Sequence, residues 1–161
     1  MFAVRGKVTR LLLFLALSAA TGTVSAVQRV PPPDLSTLMT KARVEGTLVR
    51  WCRGQMRSGR PDGYAVAIAS STAGGRYVVL GDDATLVELG PYAEAPELAC
   101  YTAADARKLN ESIRRSATIS GSVTPAFATT VVCAFVEDTS AVCWQYSAKA
   151  RAFVKVGEWQ T

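Results

Sequence analysis

Two pairs of adjacent carboxylates, Asp82-Asp83 and Glu137-Asp138, are the residues of this chain best equipped for acid–base chemistry. A glycosidase needs two acidic side chains facing each other across its substrate. Here both pairs fall between strand-forming runs, where Asp is common because its carboxylate bonds the local backbone. The turn reading is therefore the stronger one. The chain contains no His. Its absence removes Ser-His-Asp and Cys-His machinery, His-bearing zinc sites and the side chain best matched to proton transfer near neutral pH. The four cysteines contain no Cys-x-x-Cys, so neither a dithiol redox centre nor an all-cysteine zinc site is suggested. Gly74-Gly75 is followed by no helix and no Lys-Ser/Thr, unlike a phosphate loop. No catalytic residue, metal or cofactor is assigned, and the expectation is a protein that is not an enzyme.

Binding chemistry has two candidate locations. Arg50, Arg53, Arg57 and Arg60 form a basic cluster around Trp51, with Lys41 and Arg43 upstream. Guanidinium groups grip carboxylate and phosphate bidentately and stack on aromatic rings. Such a loop could seat an anionic envelope component or an acidic protein face; the plainer reading is a solvated loop tied down by Cys52. The other candidate is aromatic. Trp144 and Tyr146 share one face of a strand, Cys143 and Gln145 share the other, and Trp159 ends the last strand. Exposed aromatics anchor interfaces, whereas core packing is the simpler account of them. Asn110-Glu111-Ser112 is a formal glycosylation sequon, relevant only in a eukaryotic secretory host.

The compartment is read from the first 26 residues. Arg5, Lys7 and Arg10 precede the apolar run LLLFLAL at 11–17, and Val24-Ser25-Ala26 suits a signal peptidase. The run is too short to span a bilayer. Cleavage after Ala26 would release a soluble periplasmic or secreted chain with no transmembrane anchor. That segment carries three of the 18 Lys and Arg and none of the 13 acids, leaving 15 against 13. A balance of +2 is no argument for a nucleic-acid partner.

These residues must be positioned by elements that the pattern also indicates. Residues 27–33 form a Pro-rich tether, and 34–161 a single α+β domain. Asp34 is expected to cap a short helix bearing Leu35, Leu38, Met39 and Ala42. Residues 44–51 read as a strand and 53–63 as a polar loop. Strands at 64–70, 76–80 and 85–89 form an antiparallel meander that Gly90 and Pro91 end. A short strand at 98–101 precedes a helix with Thr102 and Asp105 in a capping arrangement and Ala106, Leu109, Ile113 and Ala117 as its buried stripe. Strand-like runs at 117–123, 129–136, 139–147 and 152–159 follow, the last three a second meander. Both helices are expected on one side of the sheet. The meanders overlay without a gap, 64–92 on 131–159, so the chain reads either as similar halves at 34–92 and 101–159 or as two ordinary meanders alike by chance.

An even cysteine count in an exported chain implies two disulfides. Three pairings exist. Cys133 and Cys143 flank a hairpin turn, which leaves Cys52 for Cys100; the chain-entropy model gives about 3 kcal/mol for the short loop and about 4 kcal/mol for the long one. The leading expectation is an exported, non-enzymatic binding module whose partner is a protein or an anionic envelope component. The alternatives are a carboxylate-dependent hydrolase of envelope glycan and a structural subunit of an envelope assembly.

Overall fold

The computed structural model describes residues 30–69, 74–92, 97–136 and 140–161. The expected export segment, residues 27–29 of the tether and Glu137-Asp138 lie outside the described residues. The elements are α1 (Pro33–Lys41), β1 (Thr47–Gly54), β2 (Gly63–Ala69), β3 (Gly75–Leu80), β4 (Leu86–Tyr92), β5 (Glu97–Tyr101), α2 (Ala103–Arg115), β6 (Ser120–Val123), β7 (Val131–Val136), β8 (Ser140–Ser147) and β9 (Ala152–Gln160). The strands make two sheets, ordered β1-β2-β3-β4 and β5-β7-β8-β9-β6. Every ladder is antiparallel, and the fold is α+β with two meanders.

The strand sequences dictate how these sheets stack. β2 reads GYAVAIA and is buried along nearly its whole length. A strand apolar on both faces needs cover above and below. Tyr64, Val66 and Ile68, with Val78 and Leu80 of β3, meet Leu35 of α1 on one side. Ala65 and Ala67, with Tyr77 and Val79, meet Leu98, Val132 and Ala134 of the second sheet on the other. In that second sheet Val131, Cys133, Ala141 and Cys143 turn outward to Ala106 and Ile113 of α2. The layers therefore run α1, first sheet, second sheet, α2. The expectation of both helices on one side is corrected: each helix covers the outer face of its own sheet, since the inner faces cover each other.

Local chemistry sets the element ends. α1 begins at Pro33 with Pro32 as N-cap, not with Asp34. Proline suits this position because its missing N–H would be unsatisfied there anyway. Asp34 lies in the first turn instead, where a carboxylate favours the helix dipole. β1 starts three residues later than expected, after Arg43 (φ 52°) and Gly46 (φ 112°) reverse the chain. β4 runs through Gly90-Pro91 to Tyr92, which corrects the expected stop. It is an edge strand, where proline's lack of a donor is tolerated. α2 is capped as its sequence implies: the Asp105 N–H donates to Thr102 Oγ1 at 3.1 Å. The helix ends at Arg115, so Ala117 lies beyond it, exposed, and the buried stripe stops at Ile113.

Disulfides join Cys52 to Cys100 and Cys133 to Cys143. The second bond crosses directly between paired residues of β7 and β8. In the first sheet Val66 faces Val78, so an apolar pair stands where the second sheet has its cross-strand cystine. Overlaying 64–92 on 131–159 without a gap would instead set Arg76 in the place of Cys143. The β2–β3 connection shifts this register by two residues relative to β7–β8. Cys52 stands opposite Ala65, and Cys100 opposite Val132. β1 and β5 thus hold matching edge positions. β6, the strand after α2, pairs with β9 on the far edge, so the sheets differ in chain order.

Candidate functional site

Antiparallel pairing puts the loops 55–62 and 81–85 at one end of the first sheet and 124–130 and 148–151 at one end of the second, and contacts from Gln55 to Thr130 and from Arg57 to Tyr146 bring those two ends together. Here the basic cluster meets the acidic turn. Arg57 Nη1 lies 3.8 Å from Asp83 Oδ2, and Arg60 Nη1 lies 4.0 Å from Asp82 Oδ2. Arg53 Nε lies 3.4 Å from Asp62 Oδ2. These pairs are partly exposed, so each contributes about 0–1 kcal/mol. Their consequence lies in charge matching: three guanidinium groups each face a carboxylate.

Two of these arginines also touch aromatic rings. Arg53 Cζ sits 5.8 Å from the Tyr64 ring centre, and Arg57 Cζ sits 5.2 Å from that of Tyr146. Tyr146 meets Phe153 edge-on at 5.6 Å. Arg57 therefore links the β1–β2 loop, the β3–β4 turn and strand β8 of the other sheet. The Tyr64 hydroxyl donates to Asp34 Oδ2 at 2.5 Å. That bond holds the Asp34 carboxyl below its usual range, while burial first and the Asp34 bond second push Tyr64 up to about 12. Asp83 is also held low, chiefly by hydrogen bonds from Thr85, whose N–H donates to Oδ1 at 3.0 Å.

Two further contacts bind the loops. The Thr130 N–H donates to the Gln55 carbonyl at 2.9 Å. Gln145, fully buried, accepts from the N–H groups of Ala126 (3.0 Å) and Phe127 (3.1 Å) through Oε1. Its Nε2 donates to the carbonyls of Phe127 (2.9 Å) and Thr129 (2.7 Å). One side chain thus supplies hydrogen bonds to residues 126–129, between the backbone bonds that Thr124 and Thr130 make at the ends of the loop. Strand alternation puts Gln145 on the face of Cys143, and its pattern alone does not mark it as a functional side chain. The signal it offers is an amide on the buried face that it shares with Ala141, Cys143 and Ser147.

Other candidates are placed elsewhere. Arg50 shares the inner face of β1 with Cys52, away from the loop end, and its Nε is buried without a hydrogen-bond partner among the described residues. The three tryptophans divide among the three apolar layers: Trp51 beside α1, Trp144 between the sheets, Trp159 beside α2. Trp51 meets Tyr64 edge-on at 5.8 Å, and Trp159 meets Phe135 at 5.6 Å. Trp159 is 9% exposed, so it is a core residue and not a surface anchor. Asn110, the sequon asparagine, accepts the Val123 N–H at 2.9 Å and ties α2 to β6.

A half-open hollow of about 320 Å³, lined by Ser120, Ser140, Glu158 and Gln160, lies at the opposite end of β8 from Tyr146. It gathers none of the arginines. Among the described residues no group of His, Cys, Asp and Glu is placed to hold a metal ion, and no helix is long and apolar enough to cross a membrane. No family model, curated protein or solved structure matches the chain.

Proposed function

We propose that this is an exported binding module that engages a protein partner through the loop end of its two sheets. The observation that carries the reading is Arg57, held between the Asp83 carboxylate and the Tyr146 ring, which joins basic, acidic and aromatic side chains from both sheets into one surface. A polyanion fits this surface poorly, since Arg53, Arg57 and Arg60 already face carboxylates. A protein face of mixed charge fits it better, with charge order setting orientation. The loops are held in advance by the Gln145 hydrogen bonds, which lowers the ordering cost of association. Export is supported by the signal-like segment and by two disulfides, which persist in oxidising compartments.

The hydrolase reading draws little support from the described carboxylates. A general acid needs its pKa raised; Asp83 is held low, and Asp82 faces Arg60. The test is capture from an envelope extract with the oxidised protein, beside a bait carrying Arg53→Ser, Arg57→Ser and Arg60→Ser. A saturable protein partner held by the first bait and lost by the second supports the loop end. A partner kept by both, or one displaced by a sulfated polysaccharide at low concentration, refutes it.

A further inference from the structure

The two disulfides differ in what they hold and in how they can be reached. Cys133–Cys143 lies within one hairpin, and both residues are fully buried beneath α2. Cys52–Cys100 joins β1 to β5, edge strands of different sheets that share no ladder. Cys52 is fully buried, but Cys100 is partly exposed. Cys100 packs against the inner core, yet it is the one half-cystine of the four that is not fully buried, and exchange begins where a thiolate can approach.

The inner face of the first sheet carries polar groups without hydrogen-bond partners among the described residues, and Arg50 is the one on the strand of Cys52. Arg50 stands two residues from Cys52 on the same face of β1, in one transverse row with Ala67 and Tyr77. Tyr77 meets Tyr92 with ring centres 5.0 Å apart. Arg50 Nε and the hydroxyls of Tyr77 and Tyr92 are all buried without a hydrogen-bond partner among the described residues. Buried polar groups in this state lose hydration without compensation, and opening returns it. The apolar seam and the Cys52–Cys100 bond oppose that opening.

We propose that Cys52–Cys100 is a thiol-sensitive latch whose reduction loosens the seam between the sheets at β1 and β5 while the rest of the fold stays closed. The reductant is a small thiol. Its thiolate attacks the Cys100 sulfur, and Cys52 leaves as a thiolate. A second reductant thiolate then displaces Cys100. Two reductant thiols become one disulfide, and Cys52 and Cys100 take up two electrons and two protons. The latch stands whether or not the loop end binds a partner.

The test uses the oxidised protein under native conditions. Graded dithiothreitol, an acid quench and maleimide labelling followed by peptide mass spectrometry give the order of reduction. Cys52 and Cys100 are expected to label at least about tenfold faster than Cys133 and Cys143. Amide exchange after selective reduction should rise about tenfold or more across 47–54 and 97–101, and change less than about twofold across 140–147. Arg50→Met removes the unsatisfied group two residues from Cys52 on β1, and the reduced variant should show a smaller rise than reduced wild type. Equal labelling of all four cysteines, global exchange once Cys52–Cys100 opens, or an unchanged rise in the Arg50→Met variant overturns the proposal.

Discussion

Gln145→Leu removes the side chain that supplies hydrogen bonds within the loop 124–130. Four hydrogen bonds are lost, to the Ala126 and Phe127 N–H groups and the Phe127 and Thr129 carbonyls. Each is worth about 1 kcal/mol net, and more where the abandoned group stays buried. Ala126 is exposed and can turn its N–H to water, whereas Thr129 is buried and cannot do so without movement. The new leucine recovers about 1–2 kcal/mol of apolar burial. The expected net loss is therefore about 2–3 kcal/mol. Urea unfolding of the oxidised variant, followed by tryptophan fluorescence, measures it, and amide exchange at 126–129 should rise in the native state. Gln145→Glu supplies a diagnostic companion. Its carboxyl would be fully buried with one oxygen against the Phe127 and Thr129 carbonyls, and burial with that repulsion is expected to outweigh the two N–H groups at the other oxygen and raise its folded pKa. That variant's stability should be fullest below the unfolded glutamate pKa and fall as pH rises through the folded value. A loss below about 1 kcal/mol for leucine, with exchange at 126–129 unchanged, would refute the view that this side chain holds the loop.

Three further outcomes follow from the same geometry. Replacing Cys52 and Cys100 by Ser should cost about 4 kcal/mol, and replacing Cys133 and Cys143 by Ala about 3 kcal/mol, in denaturant unfolding; the reverse order would contradict the loop-length argument. Tyr77→Phe removes a buried hydroxyl with no partner and should leave stability unchanged or raise it by about 1 kcal/mol, whereas a loss of that size in a melting curve would reveal a hydrogen bond. The Asp34 carboxyl is held below its ordinary 3.8 by the Tyr64 hydroxyl, so its contribution is present above that value and disappears as pH falls through the lower folded value; Tyr64→Phe should flatten this acid limb of the stability profile.

Local signals carried much of the fold. The Thr102 cap with the stripe Ala106, Leu109 and Ile113 defines α2 within one turn's reach of each residue. Alternation in 140–147 assigns Cys143 and Gln145 to one face and Trp144 and Tyr146 to the other, and burial along β8 follows it. Cys133 and Cys143 were legible as neighbours because a hairpin brings its own arms together. Each of these readings rests on interactions spanning fewer than about a dozen residues, which period and turn chemistry encode directly.

Tertiary structure decided the rest. The sequence of β2 requires cover on both faces, but only assembly shows that α1 and a second sheet supply it. Arg57 and Arg60 read as a bare basic loop because Asp83 and Asp82 lie more than 20 residues away, across two strands. Trp159, at the end of the last strand, gave no sign of facing α2 until β6 closed the far edge beside it. Gln145 was invisible as a functional side chain because its partners are backbone groups of an irregular loop, which no side-chain pattern records. Sequence determines what each segment must bury or expose; only the packed chain determines which segment meets that need, because charge pairing and burial depend on distances through space and not along the chain.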